Sequence, residues 1–159
     1  MAMNVTAAFV LPLLIGVVAG LRAMTAPAAV SLAARAGWLD LSATPLAFLG
    51  YAYTPWIFTV LALGELVTDQ LPTTPSRTVP IQFGTRILVG GLTGGAIGAS
   101  AGSLGMGVVA GMIGAIVGTL GGRAVRARLA TAFGSDRPAA IIEDVIAIGG
   151  AALIVSTLR

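Results

Sequence analysis

Between Ile87 and Gly122 the chain runs for 36 residues without a charged side chain. A helix of that length measures about 54 Å, whereas the hydrocarbon layer of a bilayer is about 30 Å thick. The run is therefore long enough for two crossings, with the hinge expected at Ala99–Gly105, ASAGSLG. Two more uncharged runs, Met1–Leu21 and Leu41–Gly64, cover 21 and 24 residues. Only 9% of the residues are charged and 57% are hydrophobic. A soluble domain carries about 25% charged residues, so this chain has too little polar surface to cover a water-soluble globule. The reading is one all-α integral membrane domain over 1–159, a polytopic transmembrane helix bundle.

The charges that remain are nine arginines, no lysine and six acids, for a net charge of +3. Arginine enrichment beside membrane helices follows the positive-inside rule, so no nucleic-acid partner is invoked. Cys and His are absent. That removes disulfides, thiolate metal sites and His-based nucleophilic catalysis. Without His, Cys or Lys there is no nucleophile–base pair to build from, and no Asp-rich metal motif stands in for one. Neither an enzyme, a cofactor nor a metal site is expected. Met1–Leu21 has no basic residue at its start, so it reads as a retained span and not as a signal peptide.

Taken in order, the spans are expected at about 5–34, 55–71, 82–101, 105–123 and 138–158, with a short interfacial helix at about 45–52. The first is too long to cross straight, at about 45 Å. Pro27 is its expected break. Thr44-Pro45 and Thr54-Pro55 each read as a cap followed by Pro at the first helical position. The nearby aromatic residues Trp38, Phe48, Tyr51, Tyr53 and Trp56 mark one membrane face. Glycines at 90, 94, 98 and 102, and at 114, 118 and 122, follow the small-xxx-small spacing that lets helices approach closely. Gly134 is an expected helix stop and Asp136 a cap. Five spans with most arginines at the 72–86 and 123–137 turns place the N-terminus in the cytoplasm and the C-terminus outside, in the inner (plasma) membrane.

The chemistry sits in LGELVTDQLPTTPSRT, Leu63–Thr78. Glu65 and Asp69 are four residues apart and share a helix face. Glu143 and Asp144 lie near the start of the last span, and Arg22 and Arg123 complete the candidate path. An ionisable group inside a membrane costs roughly 2.5–3.5 kcal/mol on insertion scales and marks a site by default. One reading is a carboxylate-lined path for a small ion or polar solute, with Thr25 and Thr68 adding oxygen ligands. The other is mutual neutralisation, with Glu65 or Asp69 on Arg22 or Arg123, and Glu143 or Asp144 on Arg86 or Arg123. Thr73, Thr74, Ser76, Arg77 and Arg86 form a polar turn that reads as a capped topology anchor, or as a grip on a phosphate or lipid headgroup.

Three motifs, AGLRAMTAPAAVSLAA (Ala19–Ala34), GELVTDQLPTTPSRT (Gly64–Thr78) and AIIEDVIAIGGA (Ala140–Ala151), together resemble the domain-of-unknown-function family numbered 4126. The resemblance covers nearly the whole chain. It implies a small bacterial-type membrane protein and names no substrate. Gly20-Leu21-Arg22-Ala23 also echoes Gly121-Gly122-Arg123-Ala124, and the two acidic pairs echo each other, which is the layout of an inverted repeat. The leading expectation is a channel or transporter that sits in the lipid bilayer as a homo-oligomer. The alternative is a scaffold or lipid-binding accessory protein whose charges are structural pairs.

Overall fold

The computed structural model describes residues 5–70 and 78–159. Among these the chain forms six α-helices and one short 3-10 turn, with no strand. The helices are α1 (Val5–Leu21), α2 (Thr25–Arg35), α3 (Thr54–Thr68), α4 (Pro80–Ser100), α5 (Leu104–Phe133) and α6 (Asp136–Ser156). The all-α expectation holds. The interfacial helix expected at 45–52 is the 3-10 turn Ala47–Gly50. Leu46 holds the cap position of that turn, while the Thr44 hydroxyl accepts from the Leu46 N–H at 3.2 Å, as a cap would, and donates to the Leu41 carbonyl at 2.8 Å.

Local sequence explains most boundaries. Pro55 and Pro80 stand in the first turn of α3 and α4, where a missing N–H costs nothing. α5 ends at Gly134 in the left-handed conformation, φ 66°, and Gly102, φ 75°, turns the chain from α4 into α5. α5 runs ten residues past the expected end at Arg123, because nothing before Gly134 interrupts it. Ser135, and not Asp136, occupies the cap position of α6.

The first leg departs from expectation. The helical ladder stops where the Arg22 N–H meets the Val18 carbonyl (2.7 Å) and resumes where the Ala28 N–H meets Met24 (3.1 Å). The break is at Arg22–Met24, and Pro27 sits inside the first turn of α2. A proline cannot bond the carbonyl four residues back, so the helix yields upstream of it. The break is also a reversal. Leu13 and Val17 of α1 pack on Gly114 and Gly118 of α5, in parallel, so α1 runs toward the Gly134 end. α2 runs back: Ala34 packs on Gly50, and Leu46 beside that turn reaches Gly95 in the second half of α4. Successive helices therefore alternate in direction. The start of α1 and the end of α6 lie at the same end of the bundle, opposite the Gly134 turn. The stretch expected as one broken span at 5–34 thus forms two legs, α1 and α2, that run in opposite directions, and the start of α1 lies at the end of the bundle away from the 123–137 turn.

The bundle is assembled on small residues. A Cβ on Gly94 would lie 2.5 Å from the Gly107 carbonyl oxygen, and one on Gly98 would lie 2.6 Å from the Gly107 Cα. α4 thus meets α5 at Gly107 and Gly111, whereas Gly114 and Gly118, expected across from α4, face α1. Ile15, Val30, Leu49 and Ile97 fill the core. The outward faces remain apolar: Trp56 and Val60 on α3, Leu88 on α4 and Leu153 on α6 are all exposed. Two helices, α5 and α6, are long and apolar enough to cross a membrane, while α1 and α3 are apolar but shorter.

Candidate functional site

A helix break leaves carbonyls without partners on one side and N–H groups without partners on the other. Both sides are closed here by charged side chains from other helices. Nη1 of Arg86, from the second turn of α4, donates to the carbonyls of Gly20 and Leu21, each at 2.9 Å. The Thr119 hydroxyl donates to Gly20 as well, at 3.2 Å. On the other side the amides of Ala23 and Met24 donate to the two oxygens of Glu65, at 2.9 and 2.8 Å. Arg86 and Glu65 then pair with each other at 3.4 Å.

Arg22 occupies the break itself and is completely buried. Its Nε donates to Asp144 at 2.6 Å, and its Nη1 donates to Asp69. Its Nη2 pairs with Asp144 and stands 4.0 Å from Glu143. A second guanidinium, Arg126 of α5, takes the other side of the same acids. Its Nη1 donates to Asp69 at 2.7 Å and to Glu143 at 3.3 Å, and it grips Asp136 with Nε and Nη2 at 2.9 and 2.6 Å. Asp69 and Glu143 thus lie between two guanidiniums. The Asp136 side chain, 61% exposed, is the rim, and Arg22 is the floor.

The helix geometry explains this convergence. Glu65 and Asp69 are one turn apart, so both face the break. Glu143 and Asp144 diverge by about 100° around α6, which puts one between the two arginines and the other against Arg22. Of the expected site residues, Glu65, Asp69, Glu143, Asp144, Arg22 and Arg86 are brought together. Arg123 is elsewhere: its Nη1 reaches the Thr78 hydroxyl at 3.3 Å, and Arg126 fills the role foreseen for it. The Thr68 hydroxyl donates to its own helix at Gly64, and the Thr25 hydroxyl is buried beside the break without a partner. Thr73, Thr74, Ser76 and Arg77 lie outside the described residues. Arg126, Asp136 and Thr119 were not foreseen; the only signal for Arg126 is that it lies one turn beyond Arg123.

Chemically this is a connected, charge-assisted hydrogen-bond network drawn from α1, α3, α4, α5 and α6. Its carboxylates accept and its guanidiniums donate, so each acid is a position where a proton or a cation competes with an arginine. Two apolar cavities flank it. One of about 590 Å³ lies between α2, α3 and α6, and one of about 290 Å³ lies between α1, α5 and α6 and touches Arg126 and Glu143.

Comparison with known families places the chain. The model of the family described as Domain of unknown function (DUF4126) matches residues 7–157, so the chain belongs to that family. No curated protein and no solved structure matches it.

Proposed function

We propose that this family member is a multi-pass protein of the cell inner membrane that passes a small ion or polar solute along its buried charge network. The apolar outward faces and the two helices long enough to cross support the membrane reading. Arg123, Arg128 and Arg137 at the Gly134 end support a cytoplasmic position for that end. Both chain ends then face away from it, which replaces the cytoplasmic N-terminus read from the sequence.

The observation that carries the transport reading is Arg22, fully buried at a helix break and held by acids from two other helices. Burying several charges costs more than the pairing returns unless the arrangement is otherwise useful. Broken helices that present charged groups near the membrane are a recurrent device of transporters. In this reading a cation or proton arriving through the Asp136 rim takes a carboxylate oxygen of Asp69 or Glu143 from Arg126. The freed guanidinium swings to the remaining acid, and Asp144 hands on in the same way from Arg22. A bundle this small leaves a narrow path, and a second copy of the chain would complete it.

The test is flux through purified protein in sealed liposomes, screened with H⁺, Na⁺, K⁺, Mg²⁺ and small anions. Asp144→Asn is the matched control. Flux in the parent and its loss in a folded variant support the reading; no flux for any ion overturns the ion path and shifts the weight to an uncharged solute or to a second reading. That reading is a scaffold or lipid-binding accessory protein, and one observation favours it: Glu65, Asp69, Glu143 and Asp144 each hold an arginine or backbone amide.

A further inference from the structure

The larger apolar cavity opens sideways between α2, α3 and α6. Ala29, Ala62 and Ala152 are among its walls, Thr25 is at its inner end, and Trp38 and Arg159 are at its outer end. The Arg159 guanidinium lies over the Trp38 ring, 4.2 Å from the centroid. An apolar space of about 590 Å³ facing a bilayer is not held open by water, which needs polar partners to stay.

Size and charge choose the occupant. From Thr25 to Ala36 the groove follows α2 for about 16 Å. That matches half of a hydrocarbon core of about 30 Å, the depth of one leaflet. An extended hydrocarbon chain laid along α2 spans that depth, with apolar walls on both sides of it. The guanidinium at the outer end selects an anionic head, and Trp38 beside it suits the headgroup level.

We propose that this groove holds one acyl chain of an anionic phospholipid from the surrounding bilayer, its phosphate on Arg159 and its chain laid along α2 toward Thr25. The proposal rests on the membrane reading above. Trp38 lies in the groove and Trp56 on the exposed face of α3, and these are the two tryptophans of the chain. Each can therefore be read alone in the Trp56→Phe or Trp38→Phe protein.

The experiment reconstitutes both proteins in nanodiscs containing a rising fraction of acyl-brominated phosphatidylglycerol or phosphatidylcholine and follows fluorescence quenching. Trp38 is expected to be quenched at about fivefold lower mole fraction of the anionic lipid, the ratio due to one arginine near a charged headgroup. Arg159→Gln should remove the preference, and Ala152→Phe, which fills the groove, should protect Trp38 from both lipids. Equal quenching by both lipids, or no response to Ala152→Phe, overturns the groove assignment. Protection of Trp38 in the parent, together with a cross-linked dimer, assigns the space to a second copy and overturns it too. Trp56 separates the two readings. If neither lipid quenches Trp56, the membrane reading itself fails; if both quench it while Trp38 shows no preference, the groove alone fails.

Discussion

Glu65 of α3 and Arg86 of α4 close the break between α1 and α2 from opposite sides. The carboxylate takes the Ala23 and Met24 amides just ahead of α2, the guanidinium takes the last carbonyls of α1, and the two meet at 3.4 Å. Each thereby does for a tertiary junction what a capping residue does for one helix end.

The first prediction follows from that closure. Glu65→Ala leaves the Ala23 and Met24 amides without acceptors, at a cost of about 1–3 kcal/mol for each buried group. Glu65→Gln keeps one acceptor oxygen, so its loss should be smaller. Thermal unfolding in detergent should rank parent, Gln and Ala in falling order. Equal melting of the Gln and Ala variants would mean that the amides find other partners and that Glu65 does not close the break.

Arg22 and Asp144 should be energetically coupled. Removing one member of a buried pair costs about 3–5 kcal/mol because the other charge is stranded. Arg22→Met and Asp144→Leu should each be strongly destabilising. The double variant should cost less than the two together, with a coupling of about 0.5–3 kcal/mol. Asp69 keeps Arg126 in that double variant, which limits the damage. Strictly additive losses would remove the pair from the account of the fold.

Much of this was readable beforehand, and the failures have definite causes. Uncharged runs locate helices, and Gly134 locates the end of α5, because both act through local backbone chemistry. Glu65 and Asp69 were readable as one face because their spacing is one turn. The choice between Arg123 and Arg126 was not. α5 is apolar on nearly all sides where it meets α1 and α4, so no periodicity tells which arginine turns inward. The reversal at Arg22–Met24 was hidden for a similar reason: both legs are apolar, and the residue between them is an arginine satisfied only by distant acids. The echo between the two acidic pairs suggested inversion across the membrane. Glu143 and Asp69 instead share Arg126, at one level.

Glycine substitutions should divide sharply by position. A Cβ on Gly98 would stand 2.6 Å from the Gly107 Cα and 2.7 Å from the Ser103 oxygen, both backbone atoms. Gly98→Ala should cost about 1–3 kcal/mol, as overpacking does. Gly64 and Gly149 are helical with open space around the missing Cβ. Alanine there should be neutral or stabilising by about 0.5–1 kcal/mol through helix propensity. Melting temperatures of the three variants decide it. A tolerated Gly98→Ala would show that α4 and α5 are not in backbone contact.

The alternation of the six helices fixes where the start of α1 and the end of α6 lie, independently of any function. α1 runs with α5 toward the Gly134 end, and α6 starts there and runs away. An epitope tag placed before Val5 and one placed after Arg159 should therefore share one side of the membrane. The chain has no cysteine, so Ser135→Cys gives a single labelling site at the opposite end without a background. In intact spheroplasts, protease should remove both tags, and a membrane-impermeant maleimide should leave the introduced thiol untouched until the membrane is opened. Tags on opposite sides would restore a single broken first span. Both tags protected while the thiol reacts from outside would keep the six-helix alternation and invert its orientation, so the arginine-rich end would face away from the cytoplasm.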